Sequence, residues 1–323
     1  MAITAATVTG DFSGFLPAHI ADPIFERASR TSVVQQLVRR IPLGINGESI
    51  PFVNGRPAAA WVDEGATKPA TSGALTLLSM VPKKIAAIMV VSQEVVRANP
   101  GNYIMTMRES LAEAFAVAFD RAALHDEGPT GTAGGGPFST YVAQTTKVHE
   151  IGSTTVANGG IWVDLKEAMV DLVSDTDASG RRYQLTGWAL DTVLEPVLWG
   201  AVDTTGRPIW TDLPSDQAAA SLSPGGGRLM GRNAFSGEGV ASANLTSIVG
   251  FGGDWSQAAW GAVGGISYRV STEAAVTING SLVSLFENNL VAVLAEAEYG
   301  FVMADADAFV ELTNVGNSPV TSS

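Results

Sequence analysis

The chain has 323 residues, no cysteine and a formal net charge of −13, with 46 % hydrophobic and 16 % charged residues. That composition buries a real core in one large or two modest domains and is not that of a disordered chain. It excludes disulfides and thiolate-held metals, and the acidic balance argues against a broad face gripping nucleic-acid phosphates, which takes clustered Lys and Arg.

The first twenty residues, MAITAATVTGDFSGFLPAHI, have neither a basic n-region nor a continuous apolar run, so they do not read as a secretory signal. The longest apolar run, IAAIMVV at 85–91, is too short to span a bilayer, and no membrane helix is expected. Residues 1–45 read as an arm lying on something else. Within it, Asp22 and Pro23 suit the N-cap and first position of a short helix over 23–30. SVVQQLVRRI, 32–41, is a strand-like or helical piece.

ESIPFV, 48–53, reads as a strand. The next stretch, 54–82, is dense in Gly, Pro, Ala, Ser and Thr, yet its ends AAAWVDE and ALTLLSM can pair, which predicts a long hairpin with its tip near 65–73. Such a hairpin cannot support itself in water and is expected to pack on a neighbouring molecule. KKIAAIMVVSQE, 83–94, predicts a well-buried strand.

The clearest helix starts at Asn99 and Pro100. Ile104, Met107, Leu111, Ala114, Phe115, Ala118, Phe119 and Ala122 recur at steps of three and four, with Arg108, Glu109, Glu113, Asp120 and Arg121 at other positions around it. It stops before Gly128 and Pro129, giving a beam roughly 40 Å long at 1.5 Å per residue.

A glycine-rich loop, 128–140, marks a change in composition, and 160–260 reads as a separate unit. Trp162, Leu165, Met169, Leu172 and Val173 make a second helical stripe. RYQLTGWAL, 182–190, reads as a strand, and Asp191 as the cap of a short helix in DTVLEPVLW. GDWSQAAWGAVGGISYRVSTEA, 253–274, is rich in Gly and Trp and poor in titratable groups. SLVSLFENN predicts a short helix, and the alternation of Val291, Val293, Ala295, Ala297 and Tyr299 predicts a long final strand.

Chemistry is sparse. His19, His125 and His149 sit in no motif, and there is no GxSxG. Asp175, Asp177, Ser179 and Gly180 resemble the start of a calcium loop, but Thr186 stands where a bidentate Glu is needed, so a polar turn is the reading. GTAGGG, 131–136, lacks the GK[ST] of a phosphate loop. Asp305 and Asp307 alternate along the last strand as a carboxylate pair, with no His or Arg partner. Outward-reaching parts and no active site point to self-assembly.

At this point AAAWVDEGATKPATSGALTLLSMVPKKIAAIMVVSQEVV resembles the hairpin and following strand of tailed-phage major capsid proteins of the HK97 fold. The matching positions are Trp61 with Glu64 and Gly65, Pro82 with Lys83 and Lys84, and Val91 and Ser92 with Glu94. Gly253, Asp254, Trp255, Ser256, Ala258, Trp260 and Gly261 resemble a second family element, and Ala308 with Phe309 is similar to the family's closing strand. The resemblance covers nearly the whole chain, in order.

It implies an α+β, HK97-like capsid fold. The parts are an N-terminal arm, 1–45; an extended E-loop hairpin with flanking strands, 46–92; the spine helix of a P-domain, 93–128; an A-domain, 129–262; and the return to the P-domain with a C-terminal tail, 263–323. It implies a structural protein whose hexamers and pentamers form an icosahedral shell around double-stranded DNA. No catalytic, metal or cofactor residues are expected. Intersubunit contacts fall to Trp61, Glu64 and Lys68. The expected partners are further copies of the chain, a separate scaffolding protein, a portal and a decoration protein, in a virion assembled in the host cytoplasm. Some members cross-link an E-loop Lys to a neighbour's Asn; Lys68 with Asn288, Asn289 or Asn314 is the candidate set, though nothing fixes the pairing. The alternatives are an encapsulin-type nanocompartment shell and, from another class, a hydrolase using Asp305 and Asp307.

Overall fold

The computed structural model describes residues 32–314 apart from 56, 58, 65–66, 69, 71–73, 99–102, 129–130, 178–179, 213–225, 243–246 and 279. The helix expected at 23–30, the Asn99–Pro100 start of the long helix and most of the hairpin tip lie outside the described residues.

Ser32 opens α1 (Val33–Leu37), its hydroxyl accepting from the Gln35 amide at 3.1 Å. A short β1 (Arg39–Arg40) follows, then β2 (Glu48–Gly55) and β3 (Ala74–Met80), which pair antiparallel as the expected hairpin. β4 (Lys83–Ser92) runs into α2 (Gln93–Ala98), where Ser92 Oγ accepts from the Val95 amide. The long helix is α3 (Tyr103–His125). After the glycine-rich loop come β5 (Val148–Ile151), α4 (Gly160–Ser174), β6 (Gly187–Leu190), α5 (Glu195–Gly200), β7 (Trp210–Asp212), β8 (Gly226–Leu229), β9 (Arg232–Ser236) and β10 (Ile248–Gly253). The chain ends with β11 (Ala258–Ala262), β12 (Ser267–Ser271), β13 (Ala275–Ile278), β14 (Ser281–Ser284), β15 (Leu290–Met303) and β16 (Phe309–Asn314).

Two sheets organise the molecule. One has seven strands in the order β5-β16-β10-β6-β9-β8-β7. The other has five, β1-β11-β15-β12, with β4 along the opposite edge of β15. Two segments cross between them. The first, at 253–258, leaves β10 and enters β11, so the opening half of the tryptophan-rich stretch is a crossover. Asp254 caps its turn by accepting from the Ser256 amide at 3.2 Å. Trp255 is buried and donates from its indole to the Gly187 carbonyl at 3.0 Å. Trp260 donates to the Val38 carbonyl at 3.2 Å. The second crossover joins β15 to β16 and hydrogen-bonds the first, through Asp254 N to Ala308 O and Ala304 N to Gln257 O, both 2.9 Å.

The main core lies where α3, α4 and both sheets meet. Phe119 of α3 touches the rings of Phe138, Trp260, Tyr299 and Phe301, while Leu165 and Leu172 of α4 join Trp188, Phe251 and Phe309. Each such side chain contributes about 1.5–3 kcal/mol when fully buried. Gly252 has no room for a side chain: a Cβ there would stand 2.5 Å from the Trp188 ring. Residues 32–43 are part of this body, with Val33, Val34 and Val38 fully inside.

Four expectations are corrected. β4 is buried only at Val90, Val91 and Ser92, because it is an edge strand and one face of its first half is open. SLVSLFENN is not a helix. Its first residues form β14 in a hairpin with β13, and Leu282 and Phe286 are exposed while Leu285 is inside. The final strand breaks at Met303, and Asp305 caps a single 3-10 turn (Ala306–Ala308) instead of lying on a strand. Within 182–200, only Gly187–Leu190 is strand, and Asp191 opens a turn ahead of α5, whose cap is Leu194.

Candidate assembly surfaces

The β2–β3 hairpin is held at its base by one face. Ile50 and Met80 are buried with Leu43, Ala259 and Val302, and the Arg39 guanidinium stacks over Phe52 at 5.3 Å. The register pairs Ile50 with Leu78 and Pro51 with Leu77, so alternate residues point the other way. On that outer face Leu77 is 69 % and Leu75 70 % exposed. Further out, Trp61 is fully exposed, and Glu64 and Lys68 are exposed as well. All three expected contact residues therefore stand on the projecting connection between β2 and β3. Of the asparagines considered as cross-link acceptors, Asn288 donates its side-chain amide to Ser284 O at 2.9 Å, while Asn289 adopts φ 51° and Asn314 donates its backbone N–H to Ser247 O.

A second open surface is the five-stranded sheet itself. α3 covers one face, where Phe115 and Leu111 pack on Ile85, Ala87, Ala295 and Ala297. On the other face, the β13–β14 hairpin and Leu285 cover Val90 and Ala292. Beside that cover, Lys84 of β4 meets Glu296 of β15 at 2.5 Å, and Arg269 of β12 approaches the same carboxylate at 4.0 Å. The Lys84 hydrogen bond holds the Glu296 carboxyl below its ordinary range. Ile88 stands exposed on the same strand. A third open area surrounds a cavity of about 400 Å³ lined by Val156, Ile161, Val197, Val202, Asp203 and Thr204, with Val156 and Val202 exposed and Trp199 exposed on the adjoining α5.

The residues with candidate chemistry are used as brackets. Lys147 reaches Asp175 at 3.0 Å and the Asp307 carbonyl at 2.5 Å, and lies 5.2 Å over the Tyr183 ring. Tyr183 donates to Asp305 Oδ2 at 2.5 Å, and Asp305 accepts from the Asp307 amide at 3.1 Å. Burial and the Asp305 carboxylate push the Tyr183 hydroxyl well above its ordinary value. The Asp175 turn and the Asp305–Asp307 pair thus converge on one lysine that ties two loops together. Thr186, at the would-be calcium position, instead donates to Gly253 O and accepts from the Trp255 amide. Among the described residues, no group of three or more His, Asp or Glu is placed to hold a metal ion, and no helix is long and apolar enough to cross a membrane. His125 is buried with Nε2 2.7 Å from Val240 O, and burial lowers its pKa below the ordinary value. His149 faces Asp171 at 3.2 Å, and His19 lies outside the described residues.

Asp120 is the group the sequence did not single out. It sits on α3, 2 % exposed, and receives the Ser32 hydroxyl together with the Val33 amide at 2.8 Å and the Val34 amide at 3.2 Å. The one signal for it is an acid placed between Phe119 and the run Ala122, Ala123, Leu124.

The polar clusters tie loops together, and apolar side chains stand exposed on β3, β4 and α5. Comparison with known proteins gives the family. Residues 13–314 match the phage capsid family. The chain is 41 % identical over 313 residues to the probable major capsid protein gp17 of Mycobacterium phage D29, covering 95 % of this chain and 93 % of that protein. It is 40 % identical over 316 residues to the probable major capsid protein gp17 of Mycobacterium phage L5, covering 95 % and 92 %. A solved structure from Gordonia phage Cozz aligns with TM-score 0.69 at 22 % identity over 95 % of this chain and 94 % of that one. The chain belongs to the phage capsid family, with its HK97-like fold. It is a major capsid protein of the tailed-phage type, and the encapsulin alternative is not favoured.

Proposed function

We propose that this chain builds an icosahedral shell from hexamers and pentamers, that the shell encloses double-stranded DNA, and that the β2–β3 hairpin lies on a neighbouring copy. The observation that carries this is the outer face of the hairpin. Leu75 and Leu77 stand in solvent on a two-stranded ribbon whose base packs on the body. A two-stranded ribbon is marginal in water, and covering each leucine would contribute about 1–2 kcal/mol. The open face around Lys84, Glu296 and Ile88 offers a neighbour both an ion-pair row and an apolar contact. Trp61, Glu64 and Lys68 then make the intersubunit contacts at the far end.

In this reading residues 1–45 are the arm, 46–92 the E-loop region, 93–128 the spine helix, 129–262 the A-domain and 263–323 the return to the P-domain and tail. The chain acts as a structural part of the virion and not as an enzyme. Assembly proceeds in the host cytoplasm with a separate scaffolding protein, portal and decoration protein. A charge of −13 repels phosphates, so the shell encloses DNA without gripping it.

Negative-stain electron microscopy of the chain expressed alone, and with its neighbouring candidate scaffold, tests the proposal. Closed shells, sheets or rings of five or six subunits are expected. A strictly monomeric particle under both conditions at high concentration overturns it.

A further inference from the structure

Trp61 is not covered by its own subunit. It is fully exposed, on the connection beyond the last β2–β3 pair, Gly55 with Ala74. β3 carries the ribbon from the buried Met80 out to Ala74, roughly 20 Å at about 3.4 Å per residue. Asp63 and Glu64 follow the ring at two and three positions. Both are exposed and make no ion pair among the described residues. The far end of the hairpin is thus an indole followed by two unpaired carboxylates.

The body carries a hole of matching chemistry. Between α3 and the edge strand β4 lies a cavity of about 320 Å³, floored by Phe119 and Phe138 with Tyr299 half-buried beside them. Phe119 and Phe138 meet edge to face, centroids 5.8 Å apart and planes at 76°, a geometry that a third ring can extend. Lys83 and Lys84 stand exposed at the rim. Lys84 already holds Glu296, and Lys83 makes no ion pair among the described residues. The one acid in the lining, Glu127, is buried and accepts the Ser242 hydroxyl.

We propose that Trp61 of one copy fills this cavity in the next, with Asp63 and Glu64 of the incoming hairpin paired to Lys83 and Lys84 at the rim. The proposal rests on the reading that the hairpin lies on a neighbouring copy, and adds where its far end lands. The occupant is a second copy of this chain, because the chain itself carries the aromatic and acidic segment that suits an aromatic hole with a basic rim. Knob and hole lie on different parts of the subunit, so the contact is heterologous and repeats head to tail until a ring closes. Ile85 and Ala87 face α3, so the alternate residues Lys84 and Ile88 look the other way. The leucines and the tryptophan of one ribbon are then seated on the two faces of β4.

The chain has no cysteine, so an Asp63→Cys, Lys83→Cys variant carries only the introduced thiols. It is expressed with its neighbouring candidate scaffold, and the purified particles are treated with a short bismaleimide and run on a denaturing gel. Dimers and higher multimers are expected from the double variant and none from either single variant. Independently, Lys83→Asp should lower particle yield several-fold by setting like charges together, and adding Asp63→Lys should restore it. This charge swap decides alone if the cysteine variant does not assemble. Particles of the double variant without multimers, equal multimers from a single variant, or a Lys83→Asp yield that is undiminished or not restored overturns this placement and leaves the hairpin reading standing. A wild-type chain that stays monomeric in the same expression overturns both.

Discussion

Trp255 and Phe309 meet edge to face, ring centroids 5.1 Å apart and planes at 73°. Trp255 stands near the start of the first crossover and Phe309 at the end of the second, so this pair pins both crossings at once. Trp255→Ala removes the ring contact and the indole bond to Gly187 O, and should cost about 3–5 kcal/mol. Trp255→Phe keeps most of the packing and loses the bond, and should cost about 1–3 kcal/mol. Urea unfolding of both variants checks the order; equal losses would mean that the ring contributes nothing beyond its hydrogen bond.

Gly252 is a test of packing. With its missing Cβ only 2.5 Å from the Trp188 ring in a closed core, Gly252→Ala should destabilise by about 1–3 kcal/mol. Gly265 has open space around it, and Gly265→Ala should stay within about 0.5 kcal/mol of wild type. The same unfolding experiment compares them, and a neutral Gly252→Ala would show that the sheet can shift away from the ring.

The hairpin prediction separates assembly from folding. Leu75 and Leu77 are exposed within the subunit, so Leu75→Asp with Leu77→Asp should leave the unfolding of isolated subunits within about 0.5 kcal/mol per site. Particle yield by sedimentation should drop sharply, because two carboxylates would be buried against a neighbour. Normal shells from this double variant would remove the hairpin's outer face from the interface.

Much of this architecture was legible in the sequence because its signals are local. The steps of three and four from Leu111 to Ala122 mark the buried side of α3, where Phe115 and Phe119 are inside. The Gly and Pro punctuation marks the β2–β3 hairpin. What escaped depends on distant partners. The exposed half of β4 follows from its place at a sheet edge, which periodicity cannot report. SLVSLFENN shows helical spacing by accident, and pairing with β13 decides its conformation. The Lys147 bracket joins residues up to 160 positions apart, and the burial of Asp120 depends on a segment 88 positions away. For the proposed assembly surface, Trp61, Glu64 and Lys68 came from resemblance, whereas the leucine face of β3 and the Lys84–Glu296–Arg269 row needed strand register.

His125 gives a pH prediction. Its ring packs 5.3 Å from Phe251, and burial lowers its pKa from the ordinary 6.5. The folded chain therefore resists the proton that the unfolded chain accepts. The stabilisation from the neutral ring is fully present above about 6.5 and is lost as pH falls through the range below it, by up to about 1.4 kcal/mol per pH unit. His125→Gln retains an N–H that can reach Val240 O but does not titrate. It should be less stable than wild type at pH 8, by roughly 1 kcal/mol for the lost ring contact, and should lose less on acidification to pH 5. Unfolding midpoints at pH 8, 6.5 and 5 check both parts. Parallel profiles for the variant and wild type would show that this histidine binds its proton equally in the folded and unfolded chain, and that acid sensitivity must arise elsewhere, at carboxylates such as Asp175, whose pKa Lys147 holds low.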